Sequence, residues 1–284
     1  MIIHSLTSFI PSFLPSFLTH SLTHSLTPFL LIHAYTYSFF TYQGANVTII
    51  GRTLRDQDFA SSFIKADLSL LSEVTRVSND LPFESTDYLV FTAGIVPGKT
   101  KNTTAEGIEM DMAASALNRL HMLSIAAPKL KKSARVLIWG FPGSKGAVDK
   151  AKLSDFNSES SYEGEFGFTH MNTVALNEAL VCHYATLGMN VYGFNPGLIQ
   201  TDIRSTAFGG CIGAVFECCV SCWNPSAEKY SAAILPLFIA PELETNTGSM
   251  HSLTHSLTHS LTYSLTHRCL LRSKWSSYQA FTSF

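Results

Sequence analysis

Short β-branched runs alternate with stretches of helical periodicity between residues 44 and 250. Val47-Thr48-Ile49-Ile50 reads as a buried parallel strand ending at Gly51. Comparable runs at residues 88–91, 135–139 and 190–194 end at Thr92-Ala93-Gly94, Gly140 and Asn195-Pro196-Gly197, and a weaker strand is predicted at residues 62–66, before Asp67. Between them, Ile108, Met112, Leu117, Leu120 and Leu123 recur at helical spacing after Thr104, and Pro128 marks the end of that helix. Residues 172–184 and 227–238 repeat the helical pattern. Strands alternating with helices predict an α/β fold with a doubly wound parallel sheet. In that class ligands sit beyond the carboxyl ends of the strands, so the residues following each strand are the candidate site.

Outside this region the pattern is a four-residue repeat. Residues 19–27 read THSLTHSLT, residues 251–267 read HSLTHSLTHSLTYSLTH, and residues 8–18 read SFIPSFLPSFL. A tetranucleotide satellite returns to phase after four codons: repeated ACTC encodes Thr-His-Ser-Leu, and repeated TTCC encodes Ser-Phe-Leu-Pro. The chain therefore divides into a low-complexity, apolar lead (residues 1–42), a domain (43–250) and a repeat tail (251–284) expected to be disordered. Leu every four residues drifts around a helix of 3.6 residues per turn and cannot keep one face buried.

Composition narrows the partners. A net charge of −2 gives no electrostatic case for nucleic acid. No charged residue precedes Arg52, so the lead lacks the basic start of a secretory signal, and residues 28–42 are too short and too polar for a membrane span. The expected location is cytoplasmic. Cys211, Cys218, Cys219 and Cys222 are separated by apolar residues rather than by the turns of a zinc site, so buried or lid thiols are expected and no metal.

The strand ends, taken in order, resemble the short-chain dehydrogenase/reductase family, whose members move a hydride between NAD(P) and a carbonyl or alcohol. GANVTIIGRT (residues 44–53) resembles the family's second strand, so the resemblance implies that Arg52 meets the adenosine ribose; a guanidinium there favours the 2′-phosphate of NADP. Asp67 and Leu68 resemble the adenine-contacting end of the third strand. Phe91-Thr92-Ala93-Gly94 resembles the N-N-A-G signature, with Ala93 and Gly94 leaving room for the cofactor. Pro196, Gly197 and Thr201 match the P-G-x3-T segment at the nicotinamide end. Residues 204–224, apolar and thiol-rich, fall where the family shapes its substrate pocket, which implies a small apolar carbonyl or alcohol substrate.

The departures point against activity. No glycine precedes Gly44, so the first strand and its T-G-x3-G-x-G phosphate cradle are lost, and the last strand is expected to be lost as the repeat begins after Met250. The resemblance places His170 at the catalytic Tyr, Val174 at its Lys partner, Gly140 or Phe141 at the Ser and the Asn near Ser115. Ser144 and Tyr162 stand nearby as weak substitutes. Three readings remain open: an NAD(P)-dependent oxidoreductase by descent but inactive as written, a non-catalytic binding relative, and a reading frame without function that joins a decayed gene to satellite DNA.

Overall fold

The computed structural model describes residues 2–4, 44–53, 61–140, 147–164, 167–195, 249–255 and 261–268, together with Tyr230, Ile234 and Phe238. Eight strands form one sheet: β1 (Ile2–His4), β2 (Asn46–Gly51), β3 (Ser62–Lys65), β4 (Thr86–Phe91), β5 (Arg135–Trp139), β6 (Asn190–Asn195), β7 (Ser249–His255) and β8 (Leu261–Arg268). Their order is β3-β2-β1-β4-β5-β6-β7-β8. β2 and β3 are parallel, as are β4, β5, β6 and β7 in succession. This is the doubly wound class that the alternating pattern predicts, and the four main strand runs and the weaker one at β3 all appear within two residues of their expected bounds.

Period-2 alternation buries both faces of β4, β5 and β6. On one face Leu89, Phe91, Val136, Ile138 and Val191 pack with Val74 and Val77 of α1 (Leu71–Asp80) and with Met122 and Leu123 from the helix that follows β4. On the other face Trp139 stacks on Phe194 at 4.6 Å, lies 6.0 Å from Phe238 and donates from Nε1 to the Tyr230 hydroxyl at 2.9 Å. Tyr230, Ile234 and Phe238 are helical, buried and spaced by four, as the pattern at residues 227–238 requires.

The helix after β4 differs from its expected form. Thr104 caps a turn instead of a helix, its hydroxyl accepting from the Glu106 and Ile108 N–H groups, with Gly107 at φ +79°. The helix begins later, as α2 (Met110–Met112), with Glu109 as N-cap accepting from the Met112 N–H at 2.8 Å. It then passes through a π-helical turn (Ala113–Leu117) into α3 (Asn118–Ala126). The extra residue per turn rotates the buried face, so Leu117 and Leu120 are only partly buried while Asn118 and Arg119 point inward. After α4 (Ala147–Lys150), α5 (Phe168–Thr186) starts four residues before its predicted bound and is buried on nearly every side.

The place of the family's first strand, expected to be lost, is filled among the described residues by β1. β1 lies between β2 and β4 and runs antiparallel to both, pairing Ile2 with Thr48 and Leu89 and His4 with Asn46 and Thr86. Residues 28–42, the other candidate for that slot, lie outside the described residues. At the far side Ser249–His255 takes the place beside β6 where the last strand was expected to be lost, and β8 pairs back on it, Leu253 opposite Tyr263. Residues 251–255 and 261–267 of the repeat tail are extended in these two strands. A four-residue unit drifts on a helix but spans two full periods of a strand, so an extended repeat keeps its register.

Ile3→Pro removes a ladder N–H from the central strand, and the expected cost is about 1–3 kcal/mol. Urea denaturation with hydrogen exchange checks this; Val47, Thr48 and Leu89 amides should exchange faster, and unchanged exchange would show that β1 does not hold the two half-sheets together.

Candidate functional site

At the carboxyl edge, where a parallel sheet binds its ligands, β2 and β4 run on to Gly51 and Phe91 past their last pairing with β1 at Thr48 and Leu89. A shallow cleft opens there, lined by Ile50, Leu68, Leu89–Ala93 and the Asn118, Arg119 and Met122 side of α3. Leu68 and Ala93, both expected cofactor contacts, line this cleft together. Arg52 lies exposed just beyond β2. The Asp67 carboxylate is engaged locally, its Oδ1 accepting from the Ser69 N–H at 3.0 Å and the Ser69 hydroxyl at 2.7 Å. A Cβ at Gly94 would lie 3.2 Å from Ser115 Oγ, close enough that the serine would have to shift by a few tenths of an ångström. Pro196, Gly197, Thr201 and Ser144 lie outside the described residues.

Arg119 dominates the floor of the cleft. It is 1% exposed, and its Nη2 donates to the Ala93 carbonyl at 2.6 Å and its Nη1 to Asn177 Oδ1 at 2.7 Å. Asn177 is fixed in turn, its Nδ2 donating to the Ser115 carbonyl at 2.9 Å and the Thr173 carbonyl at 3.0 Å. Burial pulls the guanidinium's pKa down to about 9, opposed by the negative charge of Asp111. A Cβ at Gly140 would meet Arg119 Nη1 at 2.7 Å and Asn177 Nδ2 at 3.0 Å. Gly140 is one of the two positions aligned with the family's serine. The space a serine would take there is filled by the guanidinium and its amide partner.

The other half of the site lies between α2 and α5. His170 Nδ1 meets Asp111 Oδ2 at 2.8 Å, with His170 7% and Asp111 0% exposed. An ionised carboxylate only accepts, so Nδ1–H is the donor and the ring is oriented with Nε2 on its far side. Val174, at the lysine position, is buried. A valine can hold neither a ribose hydroxyl nor a positive charge beside a phenol. Glu109 is buried, and that burial raises its pKa against the N–H bonds it accepts from Met112 and Asp111. Tyr162 donates to the Gly98 carbonyl at 2.8 Å, and burial, with the nearby Glu109 and Asp111 charges, pushes its pKa up to about 12. That direction is opposite to what a proton-transferring phenol needs.

Asp111, Arg119 and Asn177 escaped the sequence reading. Arg119 had a signal, because it falls in line with Met112, Ala116, Leu123 and Ala126 on what becomes the buried face. The π turn, which sets that face, leaves no mark in hydrophobic spacing. Cys182 is buried and disulfide-bonded. Among the described residues no group of His, Cys, Asp and Glu could hold a metal ion, and no helix is long and apolar enough to cross a membrane.

No family model matches the chain. An uncharacterized oxidoreductase of Saccharomyces cerevisiae is 37% identical over 225 residues, covering 74% of this chain and 72% of that protein. Among solved structures, a short chain dehydrogenase/reductase family protein superposes with a TM-score of 0.56 at 20% identity, covering 78% of this chain and 90% of its own. A short chain dehydrogenase from Burkholderia cenocepacia in complex with NADP gives 0.54 at 17% identity, covering 78% and 91%. A serine dehydrogenase complexed with NADP+ gives 0.53 at 18%, covering 74% and 86%. The chain belongs to the short-chain dehydrogenase/reductase family.

The phenols at 162 and 184 make stability fall at high pH. Both have folded pKa values raised to about 12 by burial, above the ordinary value of 10, so the folded state holds its protons longer. That contribution is complete below pH 10 and is lost as pH rises toward 12. Urea midpoints measured across this window should drop for the wild type and drop less for Tyr162→Phe and Tyr184→Phe; parallel curves would contradict the assignment.

Proposed function

We propose that the chain is a short-chain dehydrogenase/reductase by descent that does not transfer hydride. The observation that carries this reading is the replacement of the catalytic set. Val174 stands at the lysine position, and the guanidinium of Arg119 fills the space at Gly140. The cofactor does not fit well either. The strand beside the cleft runs antiparallel and no glycine precedes Gly44, so no Gly-rich turn follows it to meet a pyrophosphate. Arg52, Asp67, Leu68, Ala93, Gly94, Pro196, Gly197 and Thr201 remain as the residues that would touch NADP, with Arg52 favouring its 2′-phosphate. Any surviving substrate would be a small apolar carbonyl or alcohol, and the cell compartment we infer is the cytoplasm.

A second reading, residual oxidoreductase chemistry, is favoured by one observation, the His170–Asp111 pair. An imidazole oriented by a buried carboxylate has the geometry of a proton-transferring pair. The test is turnover of NADPH and NADH against a panel of apolar aldehydes and ketones by the full chain. No turnover above the uncatalysed rate is expected. Turnover that is abolished in His170→Ala would overturn the reading and make His170 the acid, since removing one member of a catalytic unit costs several orders of magnitude.

A further inference from the structure

We propose that the cleft between β2, β4 and α3 is a binding site for a small oxyanion that also carries a hydroxyl, such as phosphate or a 2-hydroxycarboxylate, held by Arg119 and Asn118. The site differs from the helix N-terminus and glycine turn with which this fold grips a pyrophosphate, and it holds whether or not the chain transfers hydride.

Arg119 is a fully buried cation whose two hydrogen-bonding partners, the Ala93 carbonyl and Asn177 Oδ1, are both neutral. Its Nε has no partner. A guanidinium carries five donors in a planar fork that matches a carboxylate or phosphate, and two bonds leave that fork partly unused. No carboxylate lies within ion-pair distance of it among the described residues, and the nearest negative charge acting on it, Asp111, is engaged by His170. Desolvating a cation without a counter-ion is unfavourable, and an anion entering the cleft relieves that.

Asn118 adds the second requirement. Its Nδ2 donates to the Ala114 carbonyl at 2.8 Å, which fixes the amide's orientation, while its Oδ1 is buried without a partner. Both residues line the same cleft, whose other walls are apolar side chains and the Thr92–Ala93 segment. A ligand that satisfies both must accept from the guanidinium and donate to the amide oxygen. Hydrogen phosphate and 2-hydroxycarboxylates do both, whereas a plain carboxylate only accepts. Gly94 and Gly140 belong to the same device, because a side chain at 140 would press on the guanidinium.

The experiment is isothermal titration and thermal unfolding of the full chain with inorganic phosphate, glycolate and acetate, against chloride at matched ionic strength. Phosphate and glycolate should bind saturably and raise the melting temperature, with acetate weaker. Arg119→Met should weaken phosphate roughly tenfold or more, the loss of a charge-assisted contact. Asn118→Leu should erase the advantage of glycolate over acetate. Gly140→Ala, which keeps the charge but crowds it, should weaken all three anions, and it decides the matter if Arg119→Met does not fold by circular dichroism. Equal effects of every anion on wild type and variants, or no saturable effect on the wild type, would overturn the proposal. NADPH is titrated alongside; competition with phosphate identifies a nucleotide phosphate as one source of the anion, and independent behaviour identifies a free small anion. Hydride turnover is read separately, so either proposal can fail alone.

Discussion

The direction of a three-residue strand governs the rest of this molecule. A parallel sheet of this order needs a strand at its centre, since β2 and β3 on one side and β4 to β6 on the other share no hydrogen bonds without it. Ile2–His4 supplies the ladder, but antiparallel, and it stops at Thr48 and Leu89. A parallel central strand would deliver its following loop to the carboxyl edge, where a helix N-terminus could meet phosphate. An antiparallel one delivers the chain to the opposite edge. The sheet can thus be completed while the ligand-binding turn is not. The cleft is the visible result, because the last residues of β2 and β4 have nothing from β1 between them.

The same substitution of parts recurs around the catalytic helix. In the family, serine, tyrosine, lysine and asparagine converge on the substrate oxygen and the ribose. Here Gly140, Arg119 and Asn177 form one interlocked group, and Val174 is buried three residues before Asn177 on the same helix. Restoring a serine at 140 alone would collide with the guanidinium. The losses are therefore coupled through packing, and a single back-substitution does not rebuild the site.

Much of the fold was legible because strands buried on both faces announce themselves as β-branched runs bounded by glycine, as at residues 47–50 and 135–139. Family motifs were legible in local sequence at Ala93-Gly94 and Asp67-Leu68, and of these Leu68 and Ala93 line the cleft. Arg119 and Asp111 were not legible, because their roles depend on a π turn and on partners more than fifty residues away, Asn177 and His170. The repeats carry a different kind of signal. Testing HSLT against a helix rejects it, but its period of four is commensurate with a strand.

The measurement that bears most directly on this account is calorimetric titration of the full chain with NADPH. A sheet whose central strand runs the wrong way, with no glycine turn beside it, predicts binding weaker than about 1 mM, an affinity below about 4 kcal/mol. A micromolar dissociation constant, with heats that vanish when Arg52 is replaced by alanine, would show that the pyrophosphate is held by groups other than those described, and would contradict it.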